Sequence, residues 1–358
     1  MRNTPLTNSS FPQHKRIVLI TDGYSTPFSA KTAISLLRYR TDDIAAVLDG
    51  KTSAKTAGEL FGVGGSIPVV PELSDVSDAD ALYVGIAPPG GRIPPEWRSL
   101  IKSALARSLD VVSGMHEFLV DDDEYPPLAE KHGARLVDVR RNRHKTTAKA
   151  PAIRRGCCRI HSVGHDCAIG KMVTTLEIQA GLTAAGHDAR FLATGQTGIM
   201  ISGTGVPIDC VVSDFVNGAA EQLILENQEH DFLLIEGQGS ISHPSFSAVT
   251  LGLLHGSAPD GLVFCYEAGR THVKGLDGVE IPPLGALLRT YEALAQLRHP
   301  CRIIGIAINT RNLDESAARR EIEMAEATYE LPSTDVYRFG AKKLVAAAVA
   351  LREELLAS

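Results

Sequence analysis

No apolar run in this sequence approaches the ~20 residues that a membrane-spanning helix needs. The opening stretch, Met1 to Gln13, is polar and lacks the apolar core of a secretory signal, which predicts a cytoplasmic protein with no membrane partner. Neither charge sign dominates. The net charge is −6 with acids and bases scattered, which argues against nucleic acid as a partner. The one basic run, 140–145, reads as the solvated edge of a linker. The six cysteines include no CxxC and no second pair at zinc-like spacing, so reduced, mostly buried thiols and no metal are expected. Internal repeats and low-complexity segments are absent. No GxGxxG follows the first strand. Thr21-Asp22-Gly23-Tyr24-Ser25 stands there instead, and a dinucleotide-dependent dehydrogenase is disfavoured.

What is present is an alternation of apolar runs and helical patterns over 358 residues, enough for about two domains. Strands are predicted over 16–21, 44–49, 67–70, 81–84, 111–113 and 136–139, with helices over 30–39, 54–61 and 95–109. A polar stretch, 140–151, follows. Strands are then predicted over 159–163, 190–193, 210–212, 232–235, 261–265, 302–308 and 336–338. Helices are predicted over 172–185, 214–229, 283–297, 313–328 and 341–356. Such βα alternation predicts an α/β fold of two parallel sheets, a Rossmann-like domain over 1–150 and a P-loop NTPase-like domain over 151–358. The apolar, small-residue-rich helices suit a homo-oligomer.

The most informative segment is Gly164-His165-Asp166-Cys167-Ala168-Ile169-Gly170-Lys171, between a predicted strand and a predicted helix. Strand, glycine-rich turn, Gly-Lys and helix form the layout of a phosphate-cradling loop. Free N–H groups and a partial positive charge at the helix start, with a lysine beside them, suit a nucleotide or coenzyme A. Two departures matter. Five residues separate Gly164 from Gly170, and Met172 follows the lysine where a Ser or Thr usually ligates Mg²⁺. A thioether is a poor ligand for so hard a cation, and Thr174 or Thr175 would have to stand in. Cys167 fits a packing or backbone role, or a reactive thiol at the helix start.

In parallel α/β sheets, ligands bind outside the carboxyl ends of the strands. The polar, Gly-rich loops expected there are 21–23, 87–92, 113–117, 194–198, 236–240, 267–270 and 309–310.

GHDCAIGKM resembles the loop of dethiobiotin synthetase and its relatives, DFLLIEGQGS the acidic strand end of that superfamily, and IIGIAINT a later strand whose Asn often reads a base. The strings AKTAISLLRY, GIAPPGGRIPPEWR, VVSGMHEFL, ATGQTGIMISG, DFVNGAAE and IEGQGSISHPSFSAVTLGLLHGS resemble, over nearly the whole chain, one bacterial two-domain family. That family was long catalogued as a domain of unknown function, and its DgcN-type members are D-glutamate N-acetyltransferases. The resemblance implies acetyl transfer from acetyl-CoA to the amine of D-glutamate, an amino acid substrate. Gly164, Asp166, Gly170, Lys171, Met172 and Asn309 would hold the acetyl-CoA. The chemistry needs a base for the ammonium proton, donors for the oxyanion and cations for the carboxylates. Candidate catalytic residues are Glu236, His243, His116 and Asp22. Glu236 also reads as a metal- or water-positioning acid or a structural one, and Asp22 as a turn former. Arg270 and Arg92 are candidates for the substrate carboxylates, with a structural Glu267–Arg270 pair as the alternative for the first, and Gln196, Gln238 and Ser240 are candidates for an oxyanion or amide. An ATP-dependent ligase or kinase acting on a small carboxylate, and a nucleotide-binding regulator without turnover, remain alternatives.

Overall fold

The computed structural model describes residues 11–88 and 90–357. Most of the polar N-terminal stretch, Pro89 of the 87–92 loop and Ser358 lie outside the described residues. Two units are present. One comprises the described residues up to Asn142 together with Ile199–Pro207, the other Arg143–Gly198 and the described residues from Ile208 onward.

The first unit is a six-stranded sheet of β1 (Ile17–Ile20), β2 (Ile44–Leu48), β3 (Val69–Val70), β4 (Ala81–Val84), β5 (Asp110–Ser113) and β6 (Leu136–Asp138). The order is β3-β2-β1-β4-β5-β6 and every pairing is parallel. β1, β4 and β5 are buried at every residue, as strands covered on both faces must be. Val18, Leu82, Leu105 and Trp97 are among the buried residues of one core of this unit. The strand order reverses between β1 and β4, the place where open α/β sheets leave a crevice. The loop after β1 folds back on β2. Asp49 accepts the N–H groups of Gly23 and Lys51 at 3.2 and 2.8 Å and the Ser25 hydroxyl.

The second unit holds β7 (Cys158–Gly164), β8 (Ala189–Leu192), β9 (Phe232–Ile235), β10 (Gly261–Glu267), β11 (Arg302–Asn309) and β12 (Ser333–Thr334). The order is β12-β11-β10-β7-β9-β8, again all parallel. β7 therefore lies between β9 and β10, and its exit is flanked by Glu236 just past β9 and by Glu267 at the end of β10. At the other end of β7, buried Arg159 pairs with buried Asp260 at 2.7 Å, and His299 joins the same carboxylate at 2.8 Å. Among the described residues no helix is long and apolar enough to cross a membrane. None of the six cysteines is in a disulfide, and four of them are buried.

Two predicted strands are not strands. The run 210–212 ends a short 3-10 turn, Ile208–Cys210, and Val212 is 64% exposed. Val211 N–H returns to Ile208 O at 3.3 Å within that turn instead of going to a neighbouring strand. The run 336–338 is helical, Val336–Phe339, because Asp335 accepts the N–H groups of Tyr337 and Arg338 and so caps a helix there. Helices Tyr125–His132, Gln196–Ser202 and Ser247–Ser257 lie where the sequence pattern predicts none. The last is apolar nearly all round and packs by its glycines. A Cβ on Gly256 would meet Asn217 O at 2.4 Å.

Candidate functional site

The site is built around the exit of β7. Gly164 ends the strand because nothing larger fits, a Cβ there lying 2.4 Å from Cys265 O. The buried Tyr291 hydroxyl donates to Gly164 O at 2.9 Å and accepts Ile241 N–H at 2.9 Å, tying the loop to a second segment. Gly170 closes the loop at φ +107°, a region that L side chains rarely enter. Helix Lys171–Ala184 starts immediately after it and has no acid in its first turn. Its N-terminal dipole is thus not offset from within.

Lys171 is buried, and its Nζ donates to Asp166 O at 2.6 Å. Burial pulls its pKa down, opposed by Cys167, Cys265 and Asp166. Asp166 is fully buried in the same loop. Its Oδ1 accepts Cys167 N–H at 2.7 Å, while Oδ2 takes Lys274 N–H at 2.9 Å and Arg270 Nη1 at 2.7 Å. Burial opposes the charge, yet these donors outweigh it and hold the carboxyl below its usual range. Arg270 is therefore strapped into the loop. It also donates to Cys167 O at 3.0 Å and to Glu267 at 2.5 Å, so the arginine expected to greet substrate carboxylates already holds two of the protein's own.

Glu236 lies one residue past β9, also buried. Oε2 accepts the N–H groups of Thr194 and Gly195 at 2.9 and 3.1 Å. Burial outweighs those bonds and pushes its pKa up to about 7. Its position is set by the next residue. Gly237 crosses β7 so closely that a Cβ would sit 1.7 Å from Ser162 O and 3.0 Å from Lys171 Cδ. A carboxyl that can exchange a proton near neutrality thus lies beside the lysine of the loop. Gln238 Nε2 donates to Thr194 Oγ1 at 3.2 Å, and fully buried Ser240 meets Ser242 at 3.3 Å. Gln196 opens helix Gln196–Ser202 directly after Gly195, whose N–H Glu236 accepts.

His243 comes in from the following loop. Its Nδ1 accepts Ser245 N–H at 3.1 Å, so the neutral ring carries its proton on Nε2, which lies 3.8 Å from Asp166 Oδ1. Burial holds its pKa down. In this state His243 is a donor at Nε2 and has no lone pair there to act as a base. Asp166, Cys167 and His243 bring their ligand atoms within 4.8 Å of one another, a set that could in principle hold a metal ion. The protonated Nε2, and Arg270 against Asp166, both oppose a cation. His165 is neutral, its pKa pushed down to about 4 by burial. Its Nε2 accepts Glu267 N–H at 3.1 Å, and among the described residues its buried Nδ1 has no partner.

On the other side of the loop lies a cavity of about 440 Å³. Ile169, Gly170, Val173, Ile308 and Asn309 line it, along with Tyr337 from the short helix after β12. Asn309 Nδ2 donates to Ile169 O at 3.3 Å, so this amide links β11 to the phosphate loop. Met172, half-buried, brings no hydroxyl, and Thr175 Oγ1 is engaged with Lys171 O at 2.8 Å and Ser162 Oγ at 2.9 Å.

The structure thus gathers Asp166, Lys171, Glu236, Gln238, His243 and Arg270 in the second unit. Asp22, His116 and Arg92 belong to the first. There Asp22 accepts Gly50 N–H at 2.8 Å, which ties the loop after β1 to the loop after β2, while His116 and Arg92 are exposed. Glu267 stands in the sequence as the structural partner that competes for Arg270, and that pair forms, whereas Tyr291 and Arg338 are not singled out there. The Thr334-Asp335 pair ahead of Val336 was the helix-start signal that would have brought the last of these to the cavity.

A family model described as a domain of unknown function, DUF1611 P-loop domain, matches residues 146–345, and the companion Rossmann-like N-terminal model matches 51–142. The chain belongs to the DUF1611 family. A D-glutamate N-acetyltransferase of Tritonibacter scottomollicae is 38% identical over 324 residues, 90% of this chain and 95% of that one. Another D-glutamate N-acetyltransferase, from a Pseudoalteromonas species, is 39% identical over 271 residues, 75% of this chain and 81% of that one. The crystal structure of a DUF1611 protein from Anabaena variabilis superposes with a TM-score of 0.88 at 37% identity, covering 94% of this chain and 100% of the other. The Rossmann-like and P-loop halves expected from the sequence are those of DUF1611.

Proposed function

We propose that the chain is an N-acetyltransferase that moves an acetyl group from acetyl-CoA to the amine of D-glutamate, in the breakdown of that D-amino acid. The names of the two curated relatives support the reaction class and the acceptor. The observation that carries the reading is Glu236, a buried carboxyl with a pKa pushed up to about 7 beside the phosphate loop. A base of that strength suits the removal of a proton from an ammonium group near neutral pH. In this reading Glu236 accepts that proton. The freed nitrogen attacks the thioester carbonyl, the C–S bond breaks, and the departing thiolate takes up the second proton that the nitrogen loses on becoming an amide. The N–H groups at the start of helix Lys171–Ala184, with Lys171, serve phosphates of the donor. His243 Nε2–H is a donor available to developing negative charge.

Phosphoryl transfer is the less favoured chemistry. The hydroxyl that would follow the lysine and hold Mg²⁺ is replaced by Met172, and Thr175 is already engaged.

The test is release of free CoA from acetyl-CoA with D-glutamate, L-glutamate or no amine, with and without chelator. Release with D-glutamate alone, unaffected by chelator and accompanied by N-acetyl-D-glutamate, is the expected result. Absence of release with every amine would reject the reading.

A further inference from the structure

The cavity beside the phosphate loop has an uneven lining. Ile169, Ala307, Ile308 and Val336 form a buried apolar floor. At its outer edge stand Tyr337, 60% exposed, and two exposed arginines, Arg311 and Arg338. An apolar slot of about 440 Å³ that touches Gly170 has the size and polarity for a nucleoside whose 5′ side faces the helix N-terminus.

The cations at its edge are poorly neutralised. Asp335 turns inward, accepting Thr310 N–H and Oγ1–H at 3.0 and 2.5 Å and the N–H groups of Tyr337 and Arg338 at 2.9 and 3.2 Å. Arg311 reaches Glu267 at 2.8 Å, but that carboxylate is shared with Arg270. Among the described residues Arg338 pairs with no carboxylate, and its side chain donates only to Leu313 O at 2.7 Å. Both forks retain unused N–H donors. A nucleoside base has no use for two guanidinium groups at the mouth of its slot. A second phosphate, placed on the ribose away from the 5′ chain, does.

We propose that Arg311 and Arg338 read the ribose 3′-phosphate of coenzyme A and so select a 3′-phosphorylated adenosine over ATP at this cavity. The proposal rests on the acetyl-CoA reading above and identifies which part of the donor sets its selection.

The experiment compares acetyl-CoA with dephospho-acetyl-CoA as donors for the full chain, in wild type, Arg311→Met and Arg338→Met. Binding of adenosine 3′,5′-bisphosphate and of ADP is measured alongside. Two charge-assisted contacts predict a KM at least about 10-fold higher for the dephospho donor in wild type, falling to under about 3-fold in the variants. Both side chains are exposed, so the core is untouched by either change. A ratio near one in wild type, or a ratio that both variants leave unaltered, overturns the proposal. If no amine is acetylated but the bisphosphate binds about 10-fold tighter than ADP and loses that preference in the variants, the acetyltransferase reading falls and the arginine assignment stands. If acetylation proceeds and the two nucleotides bind alike, the arginine assignment falls alone. No acetylation together with equal binding overturns both.

Discussion

Glu236→Gln separates the electrostatics of the site from its packing. The side chain is buried, and its pKa moves from the usual 4.5 to about 7, driven by burial against the bonds from Thr194 and Gly195. The sign follows from which state holds the proton. Below pH 4.5 the carboxyl is protonated in both folded and unfolded chains, and nothing is lost. As pH rises past 4.5 the unfolded chain releases its proton while the folded one keeps it, so stability falls. Above about 7 the folded state ionises too and the loss is complete. A shift of this size corresponds to about 3 kcal/mol at roughly 1.4 kcal/mol per unit. Glutamine removes the titration but can still accept the two N–H bonds through its Oε1. Urea unfolding of both proteins at pH 5, 6, 7 and 8 checks this. Stability of Glu236→Gln relative to wild type should grow with pH, by up to about 3 kcal/mol at pH 8. Acetyl transfer should drop by about 10²- to 10⁴-fold, and the wild-type rate should rise through a limb centred near pH 7. A stability difference that does not vary with pH would refute the assignment of a buried, easily protonated carboxyl.

Gly237→Ala puts a Cβ 1.7 Å from Ser162 O, a backbone atom that cannot move without shifting β7. Thermal melts should show a loss larger than that of ordinary core overpacking, more than about 3 kcal/mol, or no folded protein. Tyr291→Phe strands Gly164 O and Ile241 N–H, and should lower stability by about 1–3 kcal/mol in denaturant titrations. Asp260→Asn leaves the buried Arg159 without its counter-charge, a loss of about 3–5 kcal/mol measured the same way.

Asp166 offsets the positive charge gathered at the phosphate loop. A loop that gathers Lys171, Arg270 and several N–H groups would repel itself if left alone. Asp166 supplies one fixed negative charge within it, and Glu267 supplies another against Arg270. Arg270 thus works as a brace, and Lys171 Nζ and the N–H groups at the start of helix Lys171–Ala184 remain as the groups to meet an anion. The substitution of Met172 for a hydroxyl residue then takes on meaning. Such a loop keeps the means to bind a polyanion and lacks the usual oxygen for Mg²⁺ beside it.

The fold and the phosphate loop were legible in the sequence because both rest on local signals. Continuous apolar runs such as Phe232–Ile235 and Gly261–Glu267 report strands buried on both faces, and the glycines at 164 and 170 report a turn that no side chain tolerates. The roles within the site were not legible, because they depend on which groups meet across the sheet. For Arg270 the sequence leaves a substrate role and a structural pair with Glu267 both open, and only the fold brings Asp166, 104 positions away, against it. His243 looked like a base until Ser245 N–H fixed its proton on Nε2. At the cavity, the failure was local. Val336-Tyr337-Arg338 has the alternating, β-branched and aromatic look of a strand, whereas Asp335 ahead of it is a helix cap. A capping carboxylate satisfies two N–H groups that a strand would have sent to a neighbour, and that choice turns Tyr337 and Arg338 toward the cavity mouth. One short polar residue thereby decides whether this segment adds an edge to the sheet or a wall to the site.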